Sequence, residues 1–266
     1  MNADRKSNAQ SRRDADAPAQ RSTPPYNPGL QKLVEGKQAW AFPLDDDAKG
    51  KGFRGWHQRG YLPHYDAPDI TQFVTIRLQD SLPASRRGEW EHLLKIEDDR
   101  QRRRRLEEYL DRSLGECWLG QEEIATIAES ALRHFDGERY GLAAWVVMPN
   151  HLHLLVNVWD VPVAMLIRDW KSFIAHEGNR VLERSGEFWE REYLDTVVKD
   201  DAHRQRAVKY IESNPVKAGL ARDANEWPWS SARYRDEYGR LPCVLSAAVP
   251  GGFGRKNEQT PDSNPR

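Results

Sequence analysis

The fold is decided by residues 140–158, which read YGLAAWVVMPNHLHLLVNV. Two apolar runs, 140–148 and 152–158, flank Pro149-Asn150, a dipeptide that favours a turn. Apolar runs of this length around a turn predict two antiparallel strands joined as a hairpin. The strands of this hairpin would form the centre of a larger sheet.

Side chains alternate between the two faces of a strand, which divides the second run into two sets. We expect one set to pack against helices, and it contains Leu152, Leu154, Val156 and Val158. We expect the other set to line an open, functional face, and it contains His151, His153, Leu155 and Asn157. Two imidazoles on one face of an apolar strand are suited to hold one metal ion.

The rest of the chain predicts a mixed α+β domain. Residues 70–78 and 193–199 have the pattern of strands, and helical spacing of apolar residues covers 85–112, 121–135, 162–182 and 202–213. The resulting order is strand, helix, strand, strand, helix, strand. That order describes a ferredoxin-like fold, with helices on one face of an antiparallel sheet.

The last predicted helix carries a second polar pair. Tyr210 and Asn214 are four residues apart and therefore share a helix face. Pro215 is expected to end this helix because proline disfavours helical geometry in the residue before it. Asn214 would then be a terminal residue whose side chain can turn toward a partner. The two histidines, the amide and the tyrosine could meet as a metal-assisted tyrosine nucleophile.

The amino-acid composition of the chain limits which nucleic-acid partners we expect. A net charge of -1, with 30% of the 266 residues charged, argues against a protein that coats duplex DNA through bulk electrostatics, but it permits local basic grooves. Ten tryptophans offer aromatic faces on which unpaired bases can stack. The candidate DNA contacts are Arg77, Lys171, Ser172 and Arg233.

The two ends of the chain differ from its centre. Residues 1–50 and 241–266 are polar, with little periodic apolar content, and we expect both to be disordered tails around one catalytic domain over 51–240. No apolar leader or membrane-spanning stretch is visible, which predicts a cytoplasmic protein without a membrane partner. Cys117 and Cys243 form no ligand spacing, as suits a reducing compartment. The oligomeric state is left open, with a monomer among the options.

Several stretches resemble the REP-associated tyrosine transposases, a subgroup of the HUH single-tyrosine (IS200-like) transposases. Residues 148–156 resemble the HUH element, in which a hydrophobic residue separates two histidines, and YIESNPVKAGL at 210–220 resembles the tyrosine-bearing helix. Further matching stretches are RGYLPHYD at 59–66, FWEREY at 188–193 and WPWSSARY at 227–234. The resemblance spans 52–238 in the order of the family.

This resemblance implies an HUH endonuclease fold and a metal-dependent strand transferase that acts on single-stranded DNA at REP hairpins. Tyr210 would be the nucleophile that forms a 5'-phosphotyrosine link, and His151, His153 and Asn214 would hold a divalent ion. Mg²⁺ prefers oxygen ligands, whereas two imidazoles suit Mn²⁺ better, so either ion is expected. No small-molecule cofactor is implied.

Three other function classes stay open. A HIT-type nucleotide hydrolase needs a third alternating histidine where this chain has Leu155. A relaxase or rolling-circle initiator shares the histidine pair and the tyrosine chemistry, but differs in size and in the order of its elements. A domesticated hairpin-binding protein would keep the fold without turnover. Cleavage of a labelled hairpin separates this last class from the enzymes.

Overall fold

The computed structural model describes residues 43–58, 62–81, 87–96, 98–112 and 114–241. The helices are α1 (Asp46–Gly50), α2 (Arg87–Leu94), α3 (Asp99–Leu110), α4 (Glu122–Arg133), α5 (Val163–Val181) and α6 (Asp201–Lys217). The strands are β1 (Gly55–Gln58), β2 (Pro63–Asp66), β3 (Ile70–Arg77), β4 (Tyr140–Met148), β5 (His151–Val158) and β6 (Leu194–Val197). Apart from residues 43–50 and 241, both predicted tails lie outside the described residues. The predicted disorder is wrong for residues 46–50, which form α1 and bury Ala48 in the core, because the Asp45 side chain caps this helix by accepting a hydrogen bond from the Ala48 amide at 2.8 Å. Within the described part, no helix is both long and apolar enough to cross a membrane.

Four strands form the main sheet in the order β4-β5-β3-β6, and every neighbouring pair is antiparallel. The predicted hairpin is confirmed, since β4 and β5 pair from Tyr140 opposite Val158 to Met148 opposite His151. When the four strands of this sheet are numbered along the chain, they lie side by side in the order second, third, first, fourth. The α+β class and the antiparallel sheet are thus as the sequence predicts. Strands β1 and β2 form a separate two-stranded sheet.

One face of the main sheet packs against α4 and α5. The buried residues of this core include Ile76, Leu154 and Trp145 from the sheet, with Ile124 from α4 and Ile174 from α5. The four apolar residues of β5 that were predicted to meet helices are all fully buried there. Each buried aliphatic side chain of this kind contributes roughly 1.5–3 kcal/mol relative to leaving it in water.

The opposite face is not open, and the prediction that it would be was wrong. Ala207 and Ile211 of α6 pack on Phe73 and Leu155 of the sheet. This face of β4 is also apolar, with Ala144, Val146 and Met148 in the same buried cluster. A strand that is apolar on both sides needs cover on both sides. The histidine pair therefore lies under helices rather than on a free surface.

Two helix boundaries differ from the sequence prediction. The stretch 85–112 forms two helices because Asp98 caps a new start, where its carboxylate accepts a hydrogen bond from the Gln101 amide at 2.6 Å. Helix α6 continues through Pro215 to Lys217 instead of ending at it. Proline removes one intrahelical hydrogen bond, and here that loss falls in the last turn. The Ala218 amide still donates to the Asn214 carbonyl at 2.9 Å.

β4 is an edge strand of the main sheet, and the segment that contains the WPWSSARY stretch covers its outer edge. The Val147 amide donates to the Trp229 carbonyl at 2.9 Å, and the Trp227 indole donates to the Val147 carbonyl at 2.9 Å. The Trp145 amide donates to the Ser231 hydroxyl at 3.1 Å. An uncovered edge strand invites pairing with other chains, so this stretch has a structural role.

Candidate active site

Two imidazole nitrogens converge at the start of β5. The Nε2 atoms of His151 and His153 lie 3.0 Å apart, and both side chains are 0% exposed. Each ring is held at its other nitrogen, since His151 Nδ1 lies 2.7 Å from Asn150 Oδ1 and His153 Nδ1 lies 2.9 Å from Thr75 Oγ1. Rings anchored at Nδ1, with both Nε2 atoms directed at one point, have the arrangement of a histidine pair that shares a metal ion.

The hydrogen-bond network fixes the tautomer of His151. The Asn150 amide nitrogen donates to the Leu114 carbonyl at 3.1 Å, so the Asn150 oxygen must face His151. An amide oxygen only accepts, and therefore His151 Nδ1 carries the proton and Nε2 carries a lone pair. This lone pair is directed at His153, where a cation would stabilise it.

Burial keeps both imidazoles neutral. The loss of water lowers the pKa of His151 to about 3. Burial is also the main cause that lowers the pKa of His153, and the neighbouring His151 and Lys217 lower it further. Neutral imidazole is the form that binds metal ions, so both rings are ready to act as ligands at physiological pH.

An oxygen ligand from α3 completes the group. The Asp111 carboxylate and a ring nitrogen of each histidine all lie within 4.8 Å of one another. Asp111 is the C-cap of α3, and its Oδ1 is buried without a hydrogen-bond partner in the described part of the chain. Burial raises the pKa of this carboxyl, while the nearby Asn214 amide and the Lys217 ammonium lower it. A bound cation would remove the cost of the buried charge.

Asn214 is the side chain of this group with the most unpaired hydrogen-bonding atoms. It is 0% exposed, and neither its Oδ1 nor its Nδ2 has a hydrogen-bond partner among the described residues. The amide lies close enough to influence the pKa of both Asp111 and Tyr210, yet it is not in hydrogen-bonding geometry with either one. Leaving a buried amide unpaired costs about 1–3 kcal/mol, so the site has the polar atoms that a metal or substrate would engage.

Tyr210 lies beside the histidine pair on α6. Its ring centroid is 5.4 Å from that of His153 and 5.9 Å from that of Phe73, and both contacts are edge-on. The hydroxyl is buried and has no hydrogen-bond partner in the described structure. Burial raises the pKa of this phenol strongly, and the carboxylates of Glu107 and Asp111 raise it further. The phenol is therefore neutral, and it would have to lose its proton in order to act as a nucleophile.

The donor set fits a divalent ion. Two neutral imidazoles, one carboxylate and one amide oxygen combine the nitrogen and oxygen ligands that Mn²⁺ and related ions accept, with oxygen atoms that also suit Mg²⁺. The unsatisfied atoms of Asp111 and Asn214 lie on the same side of the sheet as the histidine pair. The sequence predicted three of these side chains as ligands and did not include Asp111, whose only local signal was its position at the end of a helix.

A cleft adjoins this site between α3, β3 and β6. Its lining includes Phe73 and Thr75, which also contact Tyr210 and His153, and Arg102, Glu107 and Thr196. Arg102 belongs to the basic run of α3, and its guanidinium donates to the Ile96 carbonyl at 2.9 Å. The cleft therefore shares Phe73 and Thr75 with the surroundings of the site and includes the cationic side chain of Arg102 in its lining.

The four predicted DNA contacts differ in how strongly the protein itself engages them. Arg77 is buried and pairs with Glu190 at 3.3 Å, and Lys171 donates to the Glu190 carbonyl at 2.6 Å. Ser172 is exposed on α5. Arg233 is also exposed, and it donates to the Pro228 carbonyl at 2.8 Å, in the segment that covers the edge of β4. Two of the four side chains are thus engaged inside the protein.

Comparison with known proteins finds similarity over the part of the chain that contains this site. Residues 119–214, which include both histidines, Tyr210 and Asn214, match the family model described as "Transposase IS200 like". An Escherichia coli K12 REP-associated tyrosine transposase is 31% identical over 97 residues, which is 35% of this chain and 54% of the relative. A Haemophilus influenzae protein, provisionally named a REP-associated tyrosine transposase, is 27% identical over 120 residues, or 41% of this chain and 66% of the relative.

This chain thus spans less than two thirds of the length of both relatives. A solved structure of a REP-associated tyrosine transposase bound to a REP hairpin is 17% identical, with a TM-score of 0.43, and the match covers 74% of this chain and 94% of that one. The resemblance inferred from the sequence motifs is confirmed by the family model and the two relatives.

Proposed function

We propose that this protein is a REP-associated tyrosine transposase that cleaves and rejoins single-stranded DNA through Tyr210, because residues 119–214 match the IS200-like transposase family model. The observation that carries the proposal is the buried group itself. Two Nε2 atoms 3.0 Å apart lie next to a tyrosine, a carboxylate and an amide whose polar atoms lack partners among the described residues. No packing role explains why these atoms are left unpaired.

The proposed reaction is the attack of the Tyr210 oxygen on a DNA phosphorus. The bond between phosphorus and the 3'-oxygen breaks, the 3'-oxygen takes up a proton, and the 5'-phosphate stays on the tyrosine. The tyrosyl proton leaves to a base, for which Glu107 lies nearby. The covalent link conserves the energy of the phosphodiester, so a second 3'-hydroxyl can attack it and rejoin strands.

The residues that would hold a divalent ion are His151, His153 and Asn214, joined by Asp111. Such an ion would polarise the scissile phosphate and stabilise the departing 3'-oxygen. The rings are already oriented for this by Asn150 and Thr75. The burial of the site also excludes water from the ligands, which strengthens every electrostatic interaction in it.

The ligand set can be tested with two variants. We expect Asp111→Ala to weaken Mn²⁺ binding more than Asn214→Ala, because a carboxylate carries charge and a neutral amide can be replaced by water. Calorimetric titration of each variant measures this. A larger loss in Asn214→Ala would make the amide the principal oxygen ligand, and Asp111 a neighbour only.

The substrate we propose is a DNA hairpin with an unpaired flank, of the kind carried by REP elements. The relatives are named for such elements. Exposed Ser172 and Arg233 are proposed as backbone contacts. Arg77 and Lys171 can contact DNA only by releasing Glu190 or its carbonyl. Hairpin cleavage should greatly exceed cleavage of the same sequence annealed to its complement, and affinity should fall as salt rises.

The deciding experiment follows a labelled hairpin oligonucleotide with the wild-type protein, with and without Mn²⁺. We expect a covalent protein–DNA adduct that disappears in Tyr210→Phe, while hairpin affinity stays within a few-fold. Tyr238→Phe is the matched control, because Tyr238 is 72% exposed and lies outside the site. An adduct that persists in Tyr210→Phe refutes the nucleophile. Hairpin binding by the wild-type protein without any adduct would favour a domesticated binding protein.

A further inference from the structure

A third side chain shares the face of α6 that carries Tyr210 and Asn214. Lys217 follows Tyr210 by seven positions and Asn214 by three, which places all three on one side of the helix. Its ammonium lies 4.4 Å from the centroid of the Tyr210 ring. Unlike its two neighbours on this face, Lys217 is exposed.

The positive charge of Lys217 acts on groups of the candidate site. In the described part of the chain, the Lys217 ammonium lies over the Tyr210 ring and is engaged in no hydrogen bond or ion pair. Its charge nevertheless reaches two members of the buried group, since it lowers the pKa of Asp111 and of His153. The Lys217 side chain thus combines exposure to solvent with contact to the ring of Tyr210.

A structural role is the competing explanation. A lysine in the last turn of a helix interacts favourably with the helix dipole, and its contact with an aromatic ring adds a cation–π attraction. Both effects stabilise the folded protein. Neither depends on a phosphate, however, so the two explanations separate when binding, cleavage and stability are measured together.

We propose that Lys217 is a catalytic residue that binds a non-bridging oxygen of the scissile phosphate as Tyr210 attacks it. Negative charge builds on these oxygens in the transition state, and a fixed cation beside them stabilises it more than the ground state. The proposal rests on the function proposed above. It adds a protein-borne positive charge on the tyrosine side of the phosphate.

The test compares Lys217→Met, Lys217→Arg and Lys209→Met in single-turnover cleavage of the hairpin with Mn²⁺ present. Lys209 is the matched control, since it is exposed on the same helix, next to Tyr210 in sequence but on another face. Lys217→Met should slow cleavage by about 10²- to 10³-fold, the usual cost of removing one such stabilising group. Lys217→Arg should recover most of the rate, and Lys209→Met should stay close to wild type.

Ground-state binding is measured separately in the Tyr210→Phe background, where no cleavage intervenes. Adding Lys217→Met there should change hairpin affinity by no more than a few-fold and leave the melting temperature close to that of Tyr210→Phe alone. Wild-type cleavage rates in Lys217→Met overturn the proposal. So does a parallel fall in rate and affinity that arginine does not rescue. If the wild-type protein forms no adduct at all, the proposed function fails, and not only the role of Lys217.

Discussion

Two sites with buried histidines in this domain differ in charge: one carries a positive charge and the other is neutral. His64 of β2 is 1% exposed and lies 2.7 Å from Asp195 and 3.3 Å from Glu192. Burial opposes its protonation, but the two carboxylates outweigh burial and raise its pKa to about 9. Nothing offsets burial at His151, whose pKa falls to about 3. One group is a cation with its partners, and the other is a neutral pair with unsatisfied neighbours.

The difference shows that burial alone does not mark a functional histidine. Around His64, the Tyr65 amide and the Gln72 side chain each donate to the Asp195 carboxylate at 3.3 Å, so the charged groups of this network are all paired. Around His151 and His153, the polar atoms of Asp111, Asn214 and Tyr210 have no such partners in the described structure. The first arrangement ties β2 to β6. The second has the features of a ligand site.

The largest expected effect is the loss of metal binding, which we expect at the His151 and His153 group and not at His64. His151→Ala combined with His153→Ala should abolish Mn²⁺ binding and metal-dependent cleavage, because both nitrogen ligands are lost. At Mn²⁺ concentrations 100 times the dissociation constant, wild type should gain about 2.7 kcal/mol in free energy of unfolding. The double variant should gain nothing, as urea unfolding with Mn²⁺ or EDTA will show. A retained gain would move the metal site elsewhere.

The second prediction concerns stability at the other group. His64→Gln should lower the free energy of unfolding by about 3 kcal/mol at neutral pH, because Asp195 and Glu192 lose their buried cation. Urea unfolding in EDTA measures the loss. His176→Gln is the control, since this histidine is 79% exposed and 3.7 Å from Glu177, and it should cost almost nothing. Equal effects in the two variants would remove the structural role of His64.

The third prediction is the pH dependence of the His64 contribution. Its pKa in the folded protein lies above the ordinary value of 6.5, so its contribution is complete below that pH and lost as pH rises through about 9. The stability difference between wild type and His64→Gln should therefore shrink from about 3 kcal/mol toward zero between roughly pH 6.5 and 10. A difference that grows with pH would contradict a protonated His64.

The smallest expected effect lies in the residues that orient the site histidines. Asn150→Ala should weaken Mn²⁺ binding roughly 10- to 100-fold, because His151 loses the acceptor that fixes its tautomer. Thr75→Val should weaken it less, since a hydroxyl both donates and accepts and so does not fix the tautomer of His153. Titration calorimetry ranks the two. The reverse ranking would mean that Thr75 sets the geometry of the pair.

The sequence by itself determined the features that depend on local periodicity. The β4–β5 hairpin follows from two apolar runs around Pro149-Asn150, and the common face of His151 and His153 follows from alternation along a strand. Tyr210 and Asn214 share a helix face for the same kind of reason. These short-range rules, with the family resemblance, were enough to select the histidine pair and the tyrosine as candidates that the fold then brings together.

Only the tertiary structure decided what covers and completes the site. Asp111 reaches the histidines from α3, about forty positions earlier in the chain, and no local pattern encodes that approach. Arg77 looked like a DNA contact, but the fold supplies Glu190 as its partner. Periodicity specifies which side of an element is apolar, whereas the packing of distant elements decides which face closes and which side chains meet. Burial, charge state and the fourth candidate ligand therefore come from the fold.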